Sequence, residues 1–133
     1  METIVVNPTS LVPPRGYNHG IKVTGASVLL FLGGQVGWDK AGRLVGENNI
    51  AAQFDKALEN LIAVLRDAGG AAENIVKLNI YVTDKTAYLS AMKETGTAYR
   101  KHMGKHFPAM TLVEVKSLYE PGAMVEIEGM AAL

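Results

Sequence analysis

Two of the three histidines, His102 and His106, have the i, i+4 spacing at which side chains on one helix face can share a metal ion. Gly104 lies between them and Pro108 follows, so we expect the helix to end there. No acidic residue or third histidine lies nearby in the sequence. We therefore predict no metal site, and we interpret the pair as polar groups at a helix end, where the helix dipole favours positive charge.

Two glutamates, Glu126 and Glu128, lie two residues apart in an apolar segment near the carboxyl end. On a strand this spacing places both side chains on one face. A glutamate in a partly dry cleft can act as a general acid or base. The alternative is a solvated face, or a carboxylate that only hydrogen-bonds a neighbouring strand or subunit, and the residues alone leave both interpretations open.

Several other kinds of chemistry find no support. The chain has no cysteine, which excludes a thiolate nucleophile, a disulfide and a Cys-ligated zinc site. Gly33-Gly34-Gln35 lacks the spacing and the Lys-Ser/Thr ending of a phosphate-binding loop. No serine lies in a nucleophile elbow. Tyr17 is either a core aromatic or a hydroxyl in a cleft. We expect no cofactor.

Length and composition favour one soluble domain that covers residues 1–133, with 48% hydrophobic residues for its core. Acidic and basic residues balance at 13 each, so the broad attraction behind most nucleic-acid binding is missing, and a nucleic-acid partner is not expected. No apolar run approaches the ~20 residues that span a membrane. The amino terminus lacks a secretory signal pattern, and we expect a cytoplasmic protein.

The elements that position these residues follow from hydrophobic periodicity. Strands are predicted at 4–6, 20–25, 27–36, 75–83, 111–118 and 124–132, and helices at 49–68 and 85–102. Asn48 or Asn49 and Asp84 are the expected helix caps, and Gly69 the stop of the first helix. On the fourth strand, Val76, Leu78, Ile80 and Val82 are expected to be buried. Gln53, Lys56, Glu59, Asn60 and Arg66 are expected on the wet side of the first helix.

The predicted order, β-β-β-α-β-α-β-β, indicates an α+β fold with a mixed sheet and two helices on one face. The other face is then uncovered. If it carries apolar side chains, a second subunit must cover it. This is a physical reason to expect a homo-oligomer.

Four segments resemble the YjgF, or reactive intermediate deaminase, family. Residues 107–115 (FPAMTLVEV) and 125–129 (VEIEG) are similar to its carboxy-terminal signature. Gly34-Gln35 is similar to its Ser-Gly-Gln, and Arg15-Gly16-Tyr17 to its Gly-Pro-Tyr segment. The resemblance covers nearly the whole chain from about Tyr17 onward.

The resemblance implies a chorismate-mutase-like fold of the bacillus type, assembled as a homotrimer with ligand clefts between subunits. It also implies hydrolysis of a small reactive enamine or imine to a carbonyl product and ammonia, without metal or organic cofactor. On this basis Glu126 is the predicted catalytic residue, desolvated by its apolar neighbours Val125, Ile127 and Met110. The predicted substrate-binding residues are Tyr17, Gly33, Met110 and Leu112.

The chain departs from the family pattern at two of these positions. Met110 lies where the typical deaminase has an arginine that binds the substrate carboxylate, and Gly33 lies where it has a serine. Methionine cannot replace the bidentate fork of arginine, so we expect a substrate other than 2-aminoacrylate unless another cation serves. The candidate cations are Arg15, His19, Arg100 and His106. The alternatives are a non-catalytic trimer that binds a small metabolite, a 2-aminomuconate-type deaminase, or an RNA-cleaving protein, which the zero net charge disfavours.

Overall fold

In a computed structural model of the chain, which describes all 133 residues, six strands form two separate sheets. Strands β1 (Glu2–Val6) and β2 (Gly20–Thr24) pair as an antiparallel ribbon. The other four are β3 (Leu29–Gln35), β4 (Ile75–Val82), β5 (Ala109–Glu114) and β6 (Val125–Ala132). Their order in the main sheet is β3-β6-β4-β5, with β4 and β5 parallel and the other pairs antiparallel. The mixed α+β class is confirmed. The single mixed sheet expected from the sequence is instead divided into two sheets within one chain.

Three helices complete the fold: α1 (Ile50–Asp67), α2 (Lys85–Ser90) and α3 (Met92–Met103). The predicted caps are confirmed, because Asn49 accepts from the Ala52 amide at 3.0 Å and Asp84 from the Ala87 amide at 2.9 Å. Gly69, with a φ of 85°, ends the first helix as expected. None of these helices is long and apolar enough to cross a membrane.

The hydrophobic core lies between α1, α3 and one face of the main sheet. Leu78, Ile80 and Val82 of β4 face this core, as do Val125 and Ile127 of β6. The helices supply a matching apolar face, with Phe54, Leu58, Leu61 and Leu65 on α1 and Ala98, Tyr99 and Met103 on α3. Both long helices therefore pack on one side of the sheet, as the periodicity predicts.

The second predicted helix is in fact two helices, which corrects the two-helix expectation. The break lies at Ala91, whose amide donates to both the Ala87 and Tyr88 carbonyls. Met92 then starts α3, and the Thr95 hydroxyl donates to the Ala91 carbonyl at 3.1 Å. The bend allows Tyr88 and Tyr99, on different helices, to pack against the same core.

Two burial predictions are wrong for identifiable reasons. The pairing of β4 with β6 shifts between Ile75 and Lys77, so Ile75 is fully buried and Val76 is not. On α1, Gln53 is fully buried instead of wet. Its amide nitrogen donates to the Gly46 and Gly122 carbonyls and its oxygen accepts from the Met124 amide. Burial of this polar side chain is tolerated because each of its polar atoms has a partner.

The face of the main sheet that points away from the helices is called the open face here. It carries alternate residues of all four strands: Leu29, Phe31, Lys77, Asn79, Tyr81, Thr111, Val113, Glu126, Glu128 and Met130. Leu29 and Phe31 are 61% and 70% exposed. The prediction of an uncovered face with apolar side chains is confirmed for the single chain. Strand β3, although apolar in sequence, is mostly exposed.

Candidate functional site

A cleft lies beside Met110, between β5, α2 and α3. Strand β5 is paired in parallel with β4, so Met110 lies opposite Leu78 and Leu112 opposite Ile80. Side chains paired in this way point to the same face. Met110 and Leu112 therefore point toward the helices, and both line the cleft.

Tyr17 is brought to the same cleft by the segment that precedes β2. The Asn18 amide donates to the Pro108 carbonyl at 3.1 Å, and the Asn18 side chain donates to the Phe107 carbonyl at 2.5 Å. These two bonds attach the segment to the start of β5. Tyr17 and Gly16 consequently line the cleft with Met110 and Leu112.

Aromatic side chains form much of the wall of this Met110 cleft. Tyr88 lies 6.4 Å from Phe54, measured between ring centroids, and Tyr99 stacks on Phe107 at 5.3 Å. Burial raises the pKa of both Tyr88 and Tyr99, so the two phenols are neutral at physiological pH. The part of the cleft that these rings line has a volume of about 190 Å³. This surface suits an apolar or aromatic ligand body.

One cation lies in the Met110 cleft. Arg100 of α3 lines the cleft together with Met110, Thr95 and Gly96. Its guanidinium is exposed, and its one side-chain contact is a weak 3.4 Å bond to the Thr97 hydroxyl. The Arg100 head group is thus free to bind an anionic group of a ligand.

The predicted catalytic carboxylate, Glu126, is half-buried on the open face. It lies opposite Tyr81 in the strand register and beside Gly34, where a side chain would collide with the Glu126 carboxylate. Glu128 is already engaged, since it accepts from the Tyr81 hydroxyl at 2.5 Å and from the Asn79 amide at 3.2 Å. The hydrogen bond to Glu128 raises the pKa of Tyr81, with smaller effects of burial and of the charges of Glu128 and Glu126.

Within one chain the predicted site residues lie on two sides of the sheet. Tyr17, Met110 and Leu112 are brought together on the helix side. Glu126 lies on the open face, where Gly33 lines a separate depression with Glu128 and Asn79. Val125 and Ile127 point into the core, so they do not enclose the Glu126 carboxylate as the sequence suggested. Neighbours on a strand alternate between faces. The expectation that Val125 and Ile127 desolvate Glu126 is therefore wrong.

None of the histidines lines the Met110 cleft, although the His19 ring lies 5.4 Å from the ring of Tyr17. Helix α3 ends at Met103, so His102 and His106 do not share a helix face. The His102 Nε2 atom lies 2.6 Å from Asp55 Oδ1, and the His106 Nε2 atom lies 2.7 Å from the Ile75 carbonyl. His19 contacts the Val12 carbonyl at 2.7 Å. Of the candidate cations, Arg100 is the one that lines the Met110 cleft.

Sequence reasoning missed Tyr88 and the pair Asn79 and Tyr81. The place of Tyr88 in the cleft depends on the bend at Ala91, which no local pattern predicts. Asn79 and Tyr81 are polar residues of β4 on the open face. Their register opposite Glu128 and Glu126 follows from a pairing between segments distant in sequence, and the polar alternation on both strands was the available signal.

Comparisons with known proteins agree with this arrangement of elements. Residues 8–133 match the profile of the family described as Endoribonuclease L-PSP. Protein mmf2, a mitochondrial protein of Schizosaccharomyces pombe, is 34% identical over 99% of both chains. The structure of YyfB of Yersinia pestis, from the conserved Rid protein family, is 32% identical with a TM-score of 0.87 over the full length of both chains. YyfA of the same organism is 30% identical with a TM-score of 0.67, over 99% of this chain and 100% of its own.

Proposed function

Because this chain belongs to the YjgF/RidA family, we propose that it is an imine or enamine deaminase that acts on a small apolar or aromatic substrate. The observation that carries the proposal is the combination of an apolar cleft beside Met110 with a carboxylate, Glu126, that makes no hydrogen bond to another side chain while its neighbour Glu128 is engaged. No metal ligand set is needed for this chemistry.

The reaction is a hydrolysis with water as the only co-reactant. Glu126 accepts a proton from water as the water oxygen bonds to the imine carbon, and the C=N π electrons move to nitrogen. Glu126 returns this proton to the nitrogen, which gives the neutral carbinolamine. Glu126 then accepts the proton of the carbinolamine hydroxyl and passes it to the nitrogen as the carbonyl forms, the C–N bond breaks, and a carbonyl compound and ammonia leave. Both protons of the water thus reach the nitrogen, and Glu126 alternates between general base and general acid.

The substrate class follows from the lining of the cleft. Tyr88, Tyr99 and Phe107 favour a flat apolar body, and Met110 adds an adaptable apolar surface. Arg100 supplies the one cation and is placed to bind a substrate carboxylate. We therefore propose imino acids with an aromatic or branched apolar side chain in preference to 2-aminoacrylate.

The site is completed between subunits in this proposal. The Met110 cleft and Glu126 lie on opposite sides of one sheet, so one subunit cannot supply both to a small substrate. A homotrimer, in which the open face of one subunit lies against the cleft of the next, brings the two together. The exposed apolar side chains Leu29 and Phe31 support burial of the open face.

The test is ammonia release from imino acids generated in place by an amino-acid oxidase. We expect the protein to accelerate hydrolysis of the imines of phenylalanine and leucine, with little effect on 2-aminoacrylate. Saturable binding of these compounds without acceleration would instead make the protein a metabolite-binding trimer. Failure to act on or bind any member of the panel would contradict the proposal.

The role of Arg100 is tested with Arg100→Met. Loss of one charged hydrogen bond, worth about 1.5–3 kcal/mol, should raise KM for imino acids roughly tenfold to a hundredfold. An imine without a carboxylate should be unaffected. Arg66→Met, an exposed arginine on α1, is the matched control and should leave both substrates unchanged. An unchanged KM in Arg100→Met would assign carboxylate binding elsewhere.

A cytoplasmic location is also a proposal for this chain. The relative mmf2 is named as mitochondrial, so a mitochondrial location is the alternative. Cell fractionation with an antibody against the chain separates the two locations.

A further inference from the structure

The β1–β2 ribbon (Glu2–Thr24) is joined to the rest of the chain through its connecting loop at Tyr17 and Asn18, but its two strands hardly pack on it. The extensive contacts of β1 and β2 are with each other alone. Every residue of β1 is exposed, including the apolar Ile4, Val5 and Val6. A two-stranded ribbon is marginally stable by itself in water, so this one needs a surface that its own chain does not provide.

The main sheet has an edge that lacks a partner. Strand β3 pairs with β6 on one side, and no strand pairs with its other side. The edge is seven residues long and carries the exposed side chains of Leu29 and Phe31. A long apolar edge of this kind is a template for an added strand.

The ribbon cannot fill this edge within its own chain while the observed contacts persist. Asn18 is hydrogen-bonded to Phe107 and Pro108 at the start of β5, and β5 is the far edge of the sheet from β3. An antiparallel hairpin of β2 with its own β3 would carry Asn18 to the β3 edge. The two edges are three strand spacings apart, which is about 14 Å, so Asn18 can be at only one of them.

The start of β3 is equally fixed. The Val28 amide donates to the Leu133 carbonyl at 2.8 Å, and the Leu133 amide donates to the Val28 carbonyl at 2.9 Å. The connection between β2 and this pair is Gly25–Ser27, three residues in length. The Asn18 contacts, rather than the length of this connection, therefore keep the ribbon from the β3 edge of its own chain.

We infer that copies of this chain exchange their ribbons: β2 of one copy pairs with the free edge of β3 in a second copy. Each chain offers one ribbon and one edge, so the contact is head-to-tail and is repeated around a closed ring. The shared sheet then has six strands, in the order β1-β2 of one copy followed by β3-β6-β4-β5 of the next. The inference concerns how copies are joined and does not depend on the proposed deaminase activity.

The comparison structures are compatible with more than one arrangement of the chain in this family. YyfB and YyfA are 32% and 30% identical to this chain and are matched over nearly the same length, yet their TM-scores are 0.87 and 0.67. Related chains of almost equal similarity thus differ in conformation.

The test uses the absence of native cysteine. We give the exchanged β2 the same antiparallel register that a β2–β3 hairpin would have. Lys22 of one copy then lies near Phe31 of the other, and Thr24 near Leu29, and all four side chains are exposed. Chains with Lys22→Cys and chains with Phe31→Cys are co-expressed and oxidised, and the products are separated without reductant. We expect a disulfide-linked dimer that contains one chain of each kind.

Each single variant oxidised alone serves as the control and should remain unlinked. The pair Thr24→Cys and Leu29→Cys repeats the experiment in case the first pair disturbs folding. A double variant that forms a disulfide only within one chain, with no mixed dimer, would show that the ribbon folds onto its own β3 and would overturn the inference. No disulfide from either pair would overturn it as well, because the ribbon would then not lie on β3. No outcome depends on turnover, so the deaminase proposal is tested separately.

Discussion

At the scale of single residues, the two glutamates of β6 differ in their partners although they share one face. Glu128 is fixed by Tyr81 and Asn79, whereas Glu126 lies beside the bare backbone of Gly34 with no side-chain donor. The polar atoms of Glu126 are therefore available to water or substrate. This difference is the basis for the proposed chemical role of Glu126 and for a structural role of Glu128.

We predict that Glu126→Gln lowers turnover of any accepted imine by about 10²-fold or more, the usual loss for a general acid or base. The matched variant Glu128→Gln keeps an acceptor for Tyr81 and should retain most of the activity. Steady-state ammonia release checks both, with the oligomer verified by light scattering. Full turnover in a folded Glu126→Gln oligomer would refute the assignment.

In the proposed function, Met110 selects substrates with an apolar body, because its thioether adds apolar surface to the cleft and no second cation beside Arg100. 2-Aminoacrylate has no such body, so we predict negligible acceleration of pyruvate release from it by the unmodified chain. Met110→Arg should give a gain because it places a second cation in the cleft, and Met110→Leu is the control that should show none. Rapid 2-aminoacrylate hydrolysis by the unmodified chain would show that Arg100 alone is sufficient to bind this substrate.

At the scale of elements, buried Gln53 joins α1 to two loops. Its three hydrogen bonds reach Gly46 after β3 and Gly122 and Met124 before β6. In Gln53→Leu the Gly46 carbonyl keeps its bond from the Asn49 amide, whereas the Gly122 carbonyl and the Met124 amide lose their protein partner, at about 1–3 kcal/mol each. We expect the free energy of unfolding to fall by about 2–5 kcal/mol in urea denaturation.

The control for Gln53 is Glu59→Leu on the exposed side of the same helix, where Glu59 pairs only with Lys56 at 3.3 Å. A surface change of this kind should alter the free energy of unfolding by about 0.5 kcal/mol or less. Equal stability of Gln53→Leu and the unmodified chain would mean that the loops move to satisfy their own polar groups.

The contact between α1 and α3 is sensitive to acid. Burial alone would raise the pKa of Asp55, but hydrogen bonds from His102 at 2.6 Å and Lys101 at 3.2 Å outweigh it, so this pKa lies below its usual 3.8. A lowered carboxyl pKa stabilises the folded state above the unfolded value, and that contribution is lost as the pH falls through the folded value.

We therefore predict that Asp55→Asn is less stable than the unmodified chain at pH 6, and that the difference shrinks as the pH falls below about 4. Thermal unfolding between pH 6 and pH 2 measures the difference. Asp67→Asn at the end of α1, which has no recorded ion pair, is the control and should show no such trend. A difference that is constant with pH would indicate that Asp55 stabilises the helices by packing alone.

At the scale of the whole molecule, the open face requires a partner. Phe31 is 70% exposed beside Leu29 and Met130, an arrangement that an isolated chain in water would not favour. We predict a homotrimer, with a mass three times the 14.2 kDa of the chain in sedimentation equilibrium at micromolar concentration. Phe31→Asp should shift the equilibrium toward monomers.

The matched control for Phe31 is Leu89→Asp, a change of the same kind at an exposed position of α2, away from the open face. It should leave the mass unchanged. A monomer in the unmodified protein would contradict the proposed site between subunits. A stable dimer would still allow ribbon exchange between copies but would contradict the homotrimer.

The sequence by itself determined the local structure. Periodicity places α1 and the paired faces of β4 and β6, because burial on one side of an element repeats with the period of its backbone. Asn49 and Asp84 could be identified as caps because a cap depends on residues within three positions of it. Short segments such as 107–115 and 125–129 predicted the family by resemblance, which the comparisons confirm.

Only the tertiary structure decided which residues meet. Met110 and Glu126 fall on opposite faces because β5 pairs with β4 in one register and β6 pairs with it in another, and neither register is set by neighbours in the sequence. The burial of Gln53, the bend at Ala91 and the separation of the β1–β2 ribbon have the same origin. Each depends on contacts between segments far apart in the chain, whose free energies no local pattern records.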